Sequence, residues 1–283
     1  MLYFYMTYMP SEDPNRPRRR SAEGRQSGRS RGKDIRPLLD GWNYEPGTIN
    51  VRKISGVDGL PKLQMRLDLG ILQMELNGRP DGTRPLGHES LLDYFEGQLR
   101  THTSRNGTTL GFQLTSEQCQ ALREEAAMYY QRYLSFFVLE DYPGVVRDTA
   151  RNLRVLDLCG KYALEEQDRL VMEQYRPYII MMNVRAAASI EFKAGRPAEA
   201  LTIVKTGLIR IKKFFARFGQ EEIYLKSHEA RVLRRFAREI RRHVPVDPKV
   251  KLQAMLDRAV KKEDYEQAAK LRDELARLSQ GSA

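Results

Sequence analysis

The hydrophobic pattern of this chain changes from a two-residue period to a helical period near residue 88. Before that point, apolar residues alternate with polar ones at Leu63, Met65, Leu67 and Leu69. Such alternation is typical of a β-strand with one buried face and one solvated face. The apolar positions change phase after Gly70. This change indicates a bulge or a tight turn between two strands.

An earlier strand is predicted around Ile49 and Val51, and the turn "SGVDGLP" separates it from the strand that contains Leu63. Together these segments predict a small antiparallel sheet within 37–86. Pro80 indicates that no central strand continues through this position, because proline cannot donate to the hydrogen-bond ladder. Three strands alone are marginally stable in water, so we expect the sheet to pack against the helices that follow.

Helical periodicity begins at "HESLLDYFEGQLRTH", where His88 is expected to open the first helix. Thr115 and Gln118 have the spacing of a capping box at the start of the next helix. Further helical segments continue to residue 243. The last of them, "EEIYLKSHEARVLRRFAREIRRH", is predicted as one helix with Leu225 and Leu233 on its inward face. Residues 87–243 are therefore predicted to form a helical domain.

Small residues recur in "AAASIEFKAGRPAEALTIVKTGLIRI", at Ala188, Gly195, Ala200 and Gly207. This segment resembles a tetratricopeptide repeat, a pair of antiparallel helices used as a binding scaffold. A fainter copy, "LEDYPGVVRDTARNL", lies earlier in the chain. The resemblance implies helical hairpins within a mainly α fold.

The C-terminal segment "DPKVKLQAMLDRAVKKEDYEQAAKLRDELARL" contains two short amphipathic helices joined by the polar turn "KKED". Asp247 is expected to cap the first helix. Ala268 and Ala269 are adjacent small residues among charges and leucines. We predict that both of them let the second helix lie close against the first. The result is a helical hairpin over 247–280, which is too short to be very stable alone.

The order Asp-Tyr-Glu-x-Ala-Ala-x-Leu-Arg-Asp, which starts at Asp264, resembles the UVR motif of excinuclease subunits B and C in bacterial nucleotide excision repair. In that family the hairpin mediates contacts between proteins, so the resemblance implies a docking module that performs no chemistry. The rest of the chain, including "LGILQMELNGRPDGTRP", resembles bacterial proteins that share only this C-terminal motif. The residues that the resemblance assigns to partner binding are Leu252, Leu256, Ala259, Tyr265, Ala268, Ala269, Leu271, Arg272, Asp273, Leu275 and Leu278.

Positive charge is the other prominent feature, with a net charge of +11. Residues 1–36 are rich in Pro, Ser, Gly and Arg, a composition that predicts a disordered basic arm. Segment 204–243 contains 12 Lys or Arg against 4 Glu. Nucleic-acid phosphate, or acidic residues elsewhere in the fold, would balance this charge. The arginines predicted on the outward side of the last helix of this domain are Arg231, Arg234, Arg235, Arg238, Arg241 and Arg242.

Catalytic and metal-binding motifs are absent from the sequence. The four histidines, His88, His102, His228 and His243, do not have the spacing of metal ligands, and there is no GxxxxGK[ST] loop to bind nucleotide phosphates. We therefore predict no catalytic residue, no metal and no cofactor.

Two further features are interpreted as structural. Cys119 and Cys159 are far apart in sequence and signal neither a zinc site nor a disulfide framework, so each is predicted to be a small buried hydrophobe. The acidic pair Glu124 and Glu125 is predicted to lie on a solvated helix face. No apolar run is long enough to span a membrane, and the N-terminus lacks a secretory signal, so we expect a cytoplasmic protein.

These observations favour two functional hypotheses over a third, an enzyme of unrecognised type. The first is a non-enzymatic adaptor that docks a protein partner through the C-terminal hairpin. The second is a nucleic-acid-associated protein, linked to DNA repair, that binds DNA or RNA through the basic arm and the arginine-rich helix. The predicted organisation is a basic arm at 1–36, a β-rich unit at 37–86, a helical domain at 87–243 and the hairpin at 247–280.

Overall fold

The computed structural model describes residues 34–245 and 248–280. Most of the predicted basic arm lies outside the described residues, as does Asp247, the predicted cap of the C-terminal hairpin. Contacts divide the chain into a smaller unit, Met1–Asn43, and a larger unit, Tyr44–Ala283. In the smaller unit, the described residues include a one-turn helix, α1 (Arg36–Leu39). The predicted division into four parts stays a prediction.

Three antiparallel strands form the predicted sheet, in the order β1 (Val51–Ser55), β2 (Pro61–Arg66) and β3 (Ile71–Glu75). The register pairs Val51 with Met65, and Met65 with Leu72. The turn expected around Gly70 joins β2 to β3. The predicted alternation therefore ends before Leu69, whose side chain is exposed.

Both faces of β2 are buried, whereas the alternation predicted one solvated face. On the polar face, Lys62 and Gln64 are almost fully buried. The Lys62 ammonium donates to Asp58 Oδ2 and to Glu75 Oε1, each at 2.6 Å. The Gln64 amide donates to Gln73 Oε1 on β3 at 2.9 Å. The prediction of a half-buried strand was wrong because these partners satisfy the polar groups and so permit their burial.

Helices make up most of the chain after residue 90. The longer ones are α2 (Leu91–Asn106), α3 (Ser116–Val138), α4 (Tyr142–Tyr162), α6 (Arg176–Lys193), α7 (Pro197–Arg217), α9 (His228–Arg241), α10 (Pro248–Lys261) and α11 (Tyr265–Gln280). Two short helices, α5 (Glu166–Leu170) and α8 (Glu221–Lys226), lie between them. In sequence order, α3 packs on α4, α4 on α6, α6 on α7, and α7 on α9. The predicted fold class, mainly α with helical hairpins and a small antiparallel sheet, is confirmed.

Polar side chains cap the starts of α2 and α3. Thr115 and Gln118 form the predicted capping box, in which the Gln118 N–H donates to Thr115 Oγ1 at 3.3 Å. Ser90, and not the predicted His88, caps α2 by accepting from the Asp93 N–H at 3.1 Å. A serine hydroxyl is among the preferred acceptors for the unpaired N–H groups at a helix start.

The segment predicted as one helix after residue 220 is two helices, α8 and α9. The Ser227 hydroxyl accepts from the Ala230 N–H at 3.2 Å and begins α9. Leu225 consequently belongs to α8 and is exposed, whereas Leu233 and Ile240 of α9 are fully buried. The single-helix prediction was wrong because the periodicity was followed across a capping serine.

Small residues allow close packing of α6 and α7, the hairpin that resembles a tetratricopeptide repeat. Gly195 lies in the turn with a φ of +75°, a conformation that favours glycine. At Gly207, an added Cβ would lie 2.5 Å from Val184 Cγ2 of the facing helix. Ala188 and Ala200 are fully buried between the helices.

Glu125 lies in a buried polar cluster, although the sequence predicted a solvated face for it. Its Oε1 accepts from the Leu91 N–H at 2.8 Å, and its Oε2 accepts from the Leu92 N–H at 3.3 Å. The carboxylate thus satisfies unpaired N–H groups at the start of α2, where the helix dipole also favours negative charge. Arg151 of α4 forms an ion pair with the same carboxylate. Only Glu124 of the predicted pair is exposed.

A second buried ion pair connects α3, α4 and the loop after β3. Arg132 Nε donates to Asp148 Oδ2 at 2.7 Å, and both side chains are 1% exposed. Arg132 Nη1 also donates to the carbonyl oxygens of Glu75 at 3.1 Å and Gly78 at 2.8 Å. One guanidinium therefore fixes two helices and the end of the sheet.

The ring of Tyr129 contacts the guanidinium groups of both Arg132 and Arg151, which lie 4.8 Å and 4.0 Å from its centroid. Burial raises the pKa of Tyr129 to about 12, so the phenol is neutral at physiological pH. The attraction between each guanidinium cation and the aromatic ring helps to stabilise the two buried arginine side chains.

We predict that Asp148→Asn lowers the free energy of unfolding by about 3–5 kcal/mol, because it leaves the Arg132 charge buried without an anionic partner. Urea unfolding of the full chain, followed by circular dichroism, measures the loss. The matched control is Lys193→Gln, which breaks an exposed ion pair with Glu140 and should cost less than about 1 kcal/mol. Equal effects of the two substitutions would contradict this role of the buried pair.

Candidate protein-docking site

The turn between α10 and α11 is closed by backbone hydrogen bonds and a left-handed residue. The Ala259 carbonyl accepts from the Lys262 N–H at 3.1 Å and from the Asp264 N–H at 3.0 Å. Glu263 has a φ of +59°, the conformation that commonly ends a helix. Asp264 then caps α11, since its Oδ1 accepts from the Gln267 N–H at 3.1 Å. The acidic residues of the turn therefore set where the second helix begins.

The two helices of the hairpin share a small apolar cluster of their own. Ala259, Ala268 and Leu271 are buried, and the half-buried Leu252 and Leu256 pack against them. Ala259 and Ala268 face each other from opposite helices near the turn, where their small side chains permit a close approach. The sheet and the helices that come before the hairpin share a large apolar cluster. The cluster of the hairpin has no residue in common with it. The hairpin therefore has an independent core.

Ala269 has a different environment from Ala268, because it is exposed. It lies in a shallow groove between the two helices. The residues that line the groove are Leu256, Asp257, Val260, Tyr265, Ala268, Ala269 and Arg272. The expected packing role therefore belongs to Ala268 alone. Ala269 instead lines the groove, where a larger side chain would occupy part of the space.

The groove combines exposed apolar surface with charges of both signs. Tyr265 is 70% exposed and Val260 is 51% exposed, and both side chains line the same groove. Asp257 on α10 and Arg272 on α11 also line the groove. An aromatic ring and an arginine beside an apolar depression are the residue types that are enriched at protein-binding hot spots.

The other predicted hairpin residues lie away from the apolar cluster or at its edge. Arg272 and Asp273 are exposed and form an ion pair with each other at 3.0 Å. Leu275 is half-buried. The side chain of Leu278 lies outside the described residues. Met255, which the sequence placed on the inward face of the first helix, is 39% exposed.

Sequence reasoning did not select Asp257 and Val260 as site residues, although both line the groove. A signal for Val260 was present, because it follows Leu256 at the four-residue spacing of one helix face. Asp257 carried no such signal, since charged residues are common on exposed helix faces.

Two of the six predicted arginines bond to the end of the short helix α8. Arg231 and Arg234 donate to the carbonyl oxygens of Lys226 at 3.1 Å and Leu225 at 3.2 Å. The Arg234 guanidinium also lies 4.9 Å from the ring centroid of Tyr224. These contacts neutralise the end of α8, where unpaired carbonyls attract positive charge.

The remaining four arginines of this group are exposed. Arg235 forms a surface ion pair with Glu239 at 3.4 Å, a contact within one helix that contributes little stability. Arg238, Arg241 and Arg242 lie at the end of α9, and within the described part of the chain no acidic side chain is paired with them.

Comparison with known proteins places a family match on the hairpin. Residues 249–281 match the family model for the UvrB/uvrC motif. This match agrees with the resemblance of the C-terminal segment and covers the whole groove. Searches of curated proteins and of solved structures found no match to this chain.

Two other findings apply to residues 34–245 and 248–280. None of their helices has the length and apolar character that crossing a membrane requires. In the same ranges, no group of three or more His, Cys, Asp or Glu side chains is arranged to hold a metal ion.

The two adjacent alanines provide a matched test of the hairpin. We predict that Ala268→Leu forces α10 and α11 apart and costs about 1–3 kcal/mol, as overpacking usually does. Amide hydrogen exchange of the hairpin in the full chain should then accelerate by about 5-fold to 150-fold. Ala269→Leu should leave exchange near the wild-type rate, because leucine is a good helix former at an exposed position.

Peptides from α3 and α4 serve as the internal control, since the two apolar clusters are separate. Their exchange should be the same in both variants. If Ala269→Leu accelerates exchange of the hairpin as much as Ala268→Leu does, both alanines are packing residues and Ala269 does not lie in an open groove.

Proposed function

We propose that this chain is a non-enzymatic adaptor that docks a protein partner in the groove between α10 and α11. The observation that carries the proposal is the exposure of Tyr265 and Val260 in a groove that Ala269 also lines. Large apolar side chains that are exposed next to one another are typical of interaction sites. No residue is given a catalytic role.

The independent core of the hairpin supports this proposal. Its five apolar residues stabilise the pairing of α10 and α11 without contributions from the large cluster. A module of this kind can present a surface to a partner while the other helices keep their packing. The match to the UvrB/uvrC motif adds support, since the resemblance implies a hairpin that mediates contacts between proteins.

The binding energy should be concentrated in a few groove residues. A tyrosine loses little conformational entropy when it is fixed at an interface, and it brings both apolar area and a hydroxyl. Arg272 can exchange its exposed ion pair with Asp273 for a carboxylate of the partner at small cost, because exposed ion pairs are weak. We therefore assign the main binding role to Tyr265 and the surface beside Ala269.

Ala269→Leu is predicted to remove partner binding while the hairpin stays folded, because the leucine side chain fills the groove. The matched control is Ala276→Leu, which makes the same change at another exposed alanine on α11 outside the groove. Wild-type, Ala269→Leu and Ala276→Leu chains are used as baits in native cell extract after nuclease treatment. Proteins retained by each bait are then quantified by mass spectrometry.

The proposal expects a protein that wild type and Ala276→Leu retain and that Ala269→Leu loses by at least about tenfold, which corresponds to about 1.4 kcal/mol. Tyr265→Ala should weaken retention of the same protein. Retention that is equal for all baits would exclude the groove as the docking surface.

Nucleic-acid binding is the second candidate function, and we propose for it the exposed end of α9. The observation in its favour is a concentration of positive charge at this helix end. Arg238 and Arg241 lie in the last turn of α9, and Arg242 follows the helix directly. Unpaired guanidinium groups of this kind bind phosphate through charge and hydrogen bonds. The net charge of segment 204–243, with 12 basic and 4 acidic residues, adds long-range attraction.

Changing these three arginines together to glutamine is predicted to weaken binding of duplex DNA or RNA equally for all base sequences. The logarithm of the binding constant should also depend less steeply on the logarithm of salt concentration, by about 0.9 for each duplex DNA phosphate contact that is lost. Fluorescence anisotropy with a labelled duplex at several salt concentrations measures both effects.

The control for this experiment removes the same charge elsewhere, by changing Arg84, Arg100 and Arg105 to glutamine. These side chains are also exposed but lie outside α9. If both triple variants reduce the salt dependence equally, the effect reports net charge and not a site on α9. Undetectable binding of the wild-type chain at about 50 mM salt would reject this function.

A further inference from the structure

Cys119 and Cys159, which are far apart in sequence and were each predicted to be buried, belong to the same buried cluster in the structure. Cys119 is on α3 and Cys159 is on α4, and their exposures are 0% and 2%. Both are free thiols in the same buried apolar cluster, and each is the main influence on the pKa of the other. The prediction that each cysteine is a small buried residue agrees with the structure, whereas their distance in sequence did not indicate that they lie near each other.

The register of α3 and α4 places the two cysteines at the same interface. The Asn152 amide donates to the Ala126 carbonyl oxygen at 2.9 Å and so fixes these two residues opposite each other. Cys159 follows Asn152 by seven residues, and Cys119 precedes Ala126 by seven residues. Seven residues are close to two turns of an α-helix, so in this antiparallel pair the two thiols return to the same interface.

The two thiols have unequal chemical environments. Cys119 lies one turn inside the start of α3, close to the positive end of the helix dipole. The hydrogen bond from the Cys159 thiol lowers the pKa of Cys119. The same hydrogen bond, together with burial, raises the pKa of Cys159. Cys119 is therefore the thiol that ionises first and attacks more readily.

Asp168 of the short helix α5 lies near the thiol pair and forms an ion pair with Arg123 of α3 at 2.6 Å. The cap residue of α5, Glu165, makes no side-chain hydrogen bond to the helix. Leu170 and Val171 at the end of this helix are partly exposed and add little buried apolar surface. A five-residue helix with a partly exposed end is the kind of segment that can open locally while the rest of the domain stays folded.

We infer that Cys119 and Cys159 form a reversible oxidation site, which reacts with a low-molecular-weight disulfide and closes a disulfide bond between α3 and α4. This site is separate from the proposed docking groove and does not depend on it. The bond would connect two helices that the buried Arg132–Asp148 pair already holds together.

The reaction is a thiol–disulfide exchange in two steps. The Cys119 thiolate attacks one sulfur of the small disulfide, which forms a mixed disulfide and releases one small thiolate. Cys159 loses its proton and attacks the Cys119 sulfur, which breaks the mixed disulfide and releases the second small thiolate. The two protein thiols lose two electrons and two protons in total, and the two small thiols that form take them up.

Oxidised glutathione is a suitable probe for this site. The folded full chain is incubated with it, quenched with acid, and treated with an alkylating agent under denaturing conditions. Mass spectrometry then counts free thiols and bound glutathione. We expect the wild-type chain to lose both free thiols without carrying glutathione, and a reducing agent should restore both thiols.

The control variants replace one thiol at a time with alanine, which suits a buried apolar position. Cys159→Ala should keep glutathione bound to Cys119, because the second step cannot occur. Circular dichroism confirms that the variants remain folded, and the wild-type measurement does not depend on them. A wild-type chain that retains both free thiols, or that carries glutathione on each cysteine, would overturn the inference.

Discussion

The fold depends on burying a few charged side chains only where each of them has several partners. Arg132 and Asp148 neutralise each other between α3 and α4, and the same guanidinium holds the carbonyl oxygens of the loop after β3. Glu125 satisfies the unpaired N–H groups at the start of α2 while it contacts Arg151. A three-stranded sheet is marginal alone. The Arg132 guanidinium attaches the end of the sheet to α3 by directional bonds, in addition to the apolar core that the sheet and the helices share.

The hairpin at the C-terminus follows a different physical principle. It has no buried charge among its described side chains, and its stability depends on a few apolar contacts between Ala259, Ala268 and Leu271. Because so little area is buried, the geometry of the turn and the small size of the facing alanines matter more than they would in a large core. Because the core of the hairpin is so small, Tyr265 and Val260 remain exposed. Such exposed apolar side chains suit a surface that contacts another protein.

Local patterns predicted the elements of the structure well, because the signals lie within a few residues. The strands, the capping box at Thr115 and the C-terminal hairpin were all accessible in this way. The burial of Glu125 could not be predicted in this way, since its partners at Leu91 and Leu92 lie in another helix. The pairing of the cysteines was also inaccessible, because it depends on the register that the Asn152 hydrogen bond fixes. Within the candidate site, sequence spacing located both helices but did not separate the buried Ala268 from the exposed Ala269.

The central claim is that a protein partner occupies the groove beside Ala269. The most direct measurement is the methyl spectrum of the full chain with isotope-labelled alanine, recorded while the captured partner is added. Ala269 and Ala268 both line the groove, and Ala276 lies on the same helix outside it. The account predicts a large change at the Ala269 methyl, a smaller one at Ala268, and little change at Ala276. Changes confined to alanines of α6 and α7, with Ala269 unaffected, would contradict it.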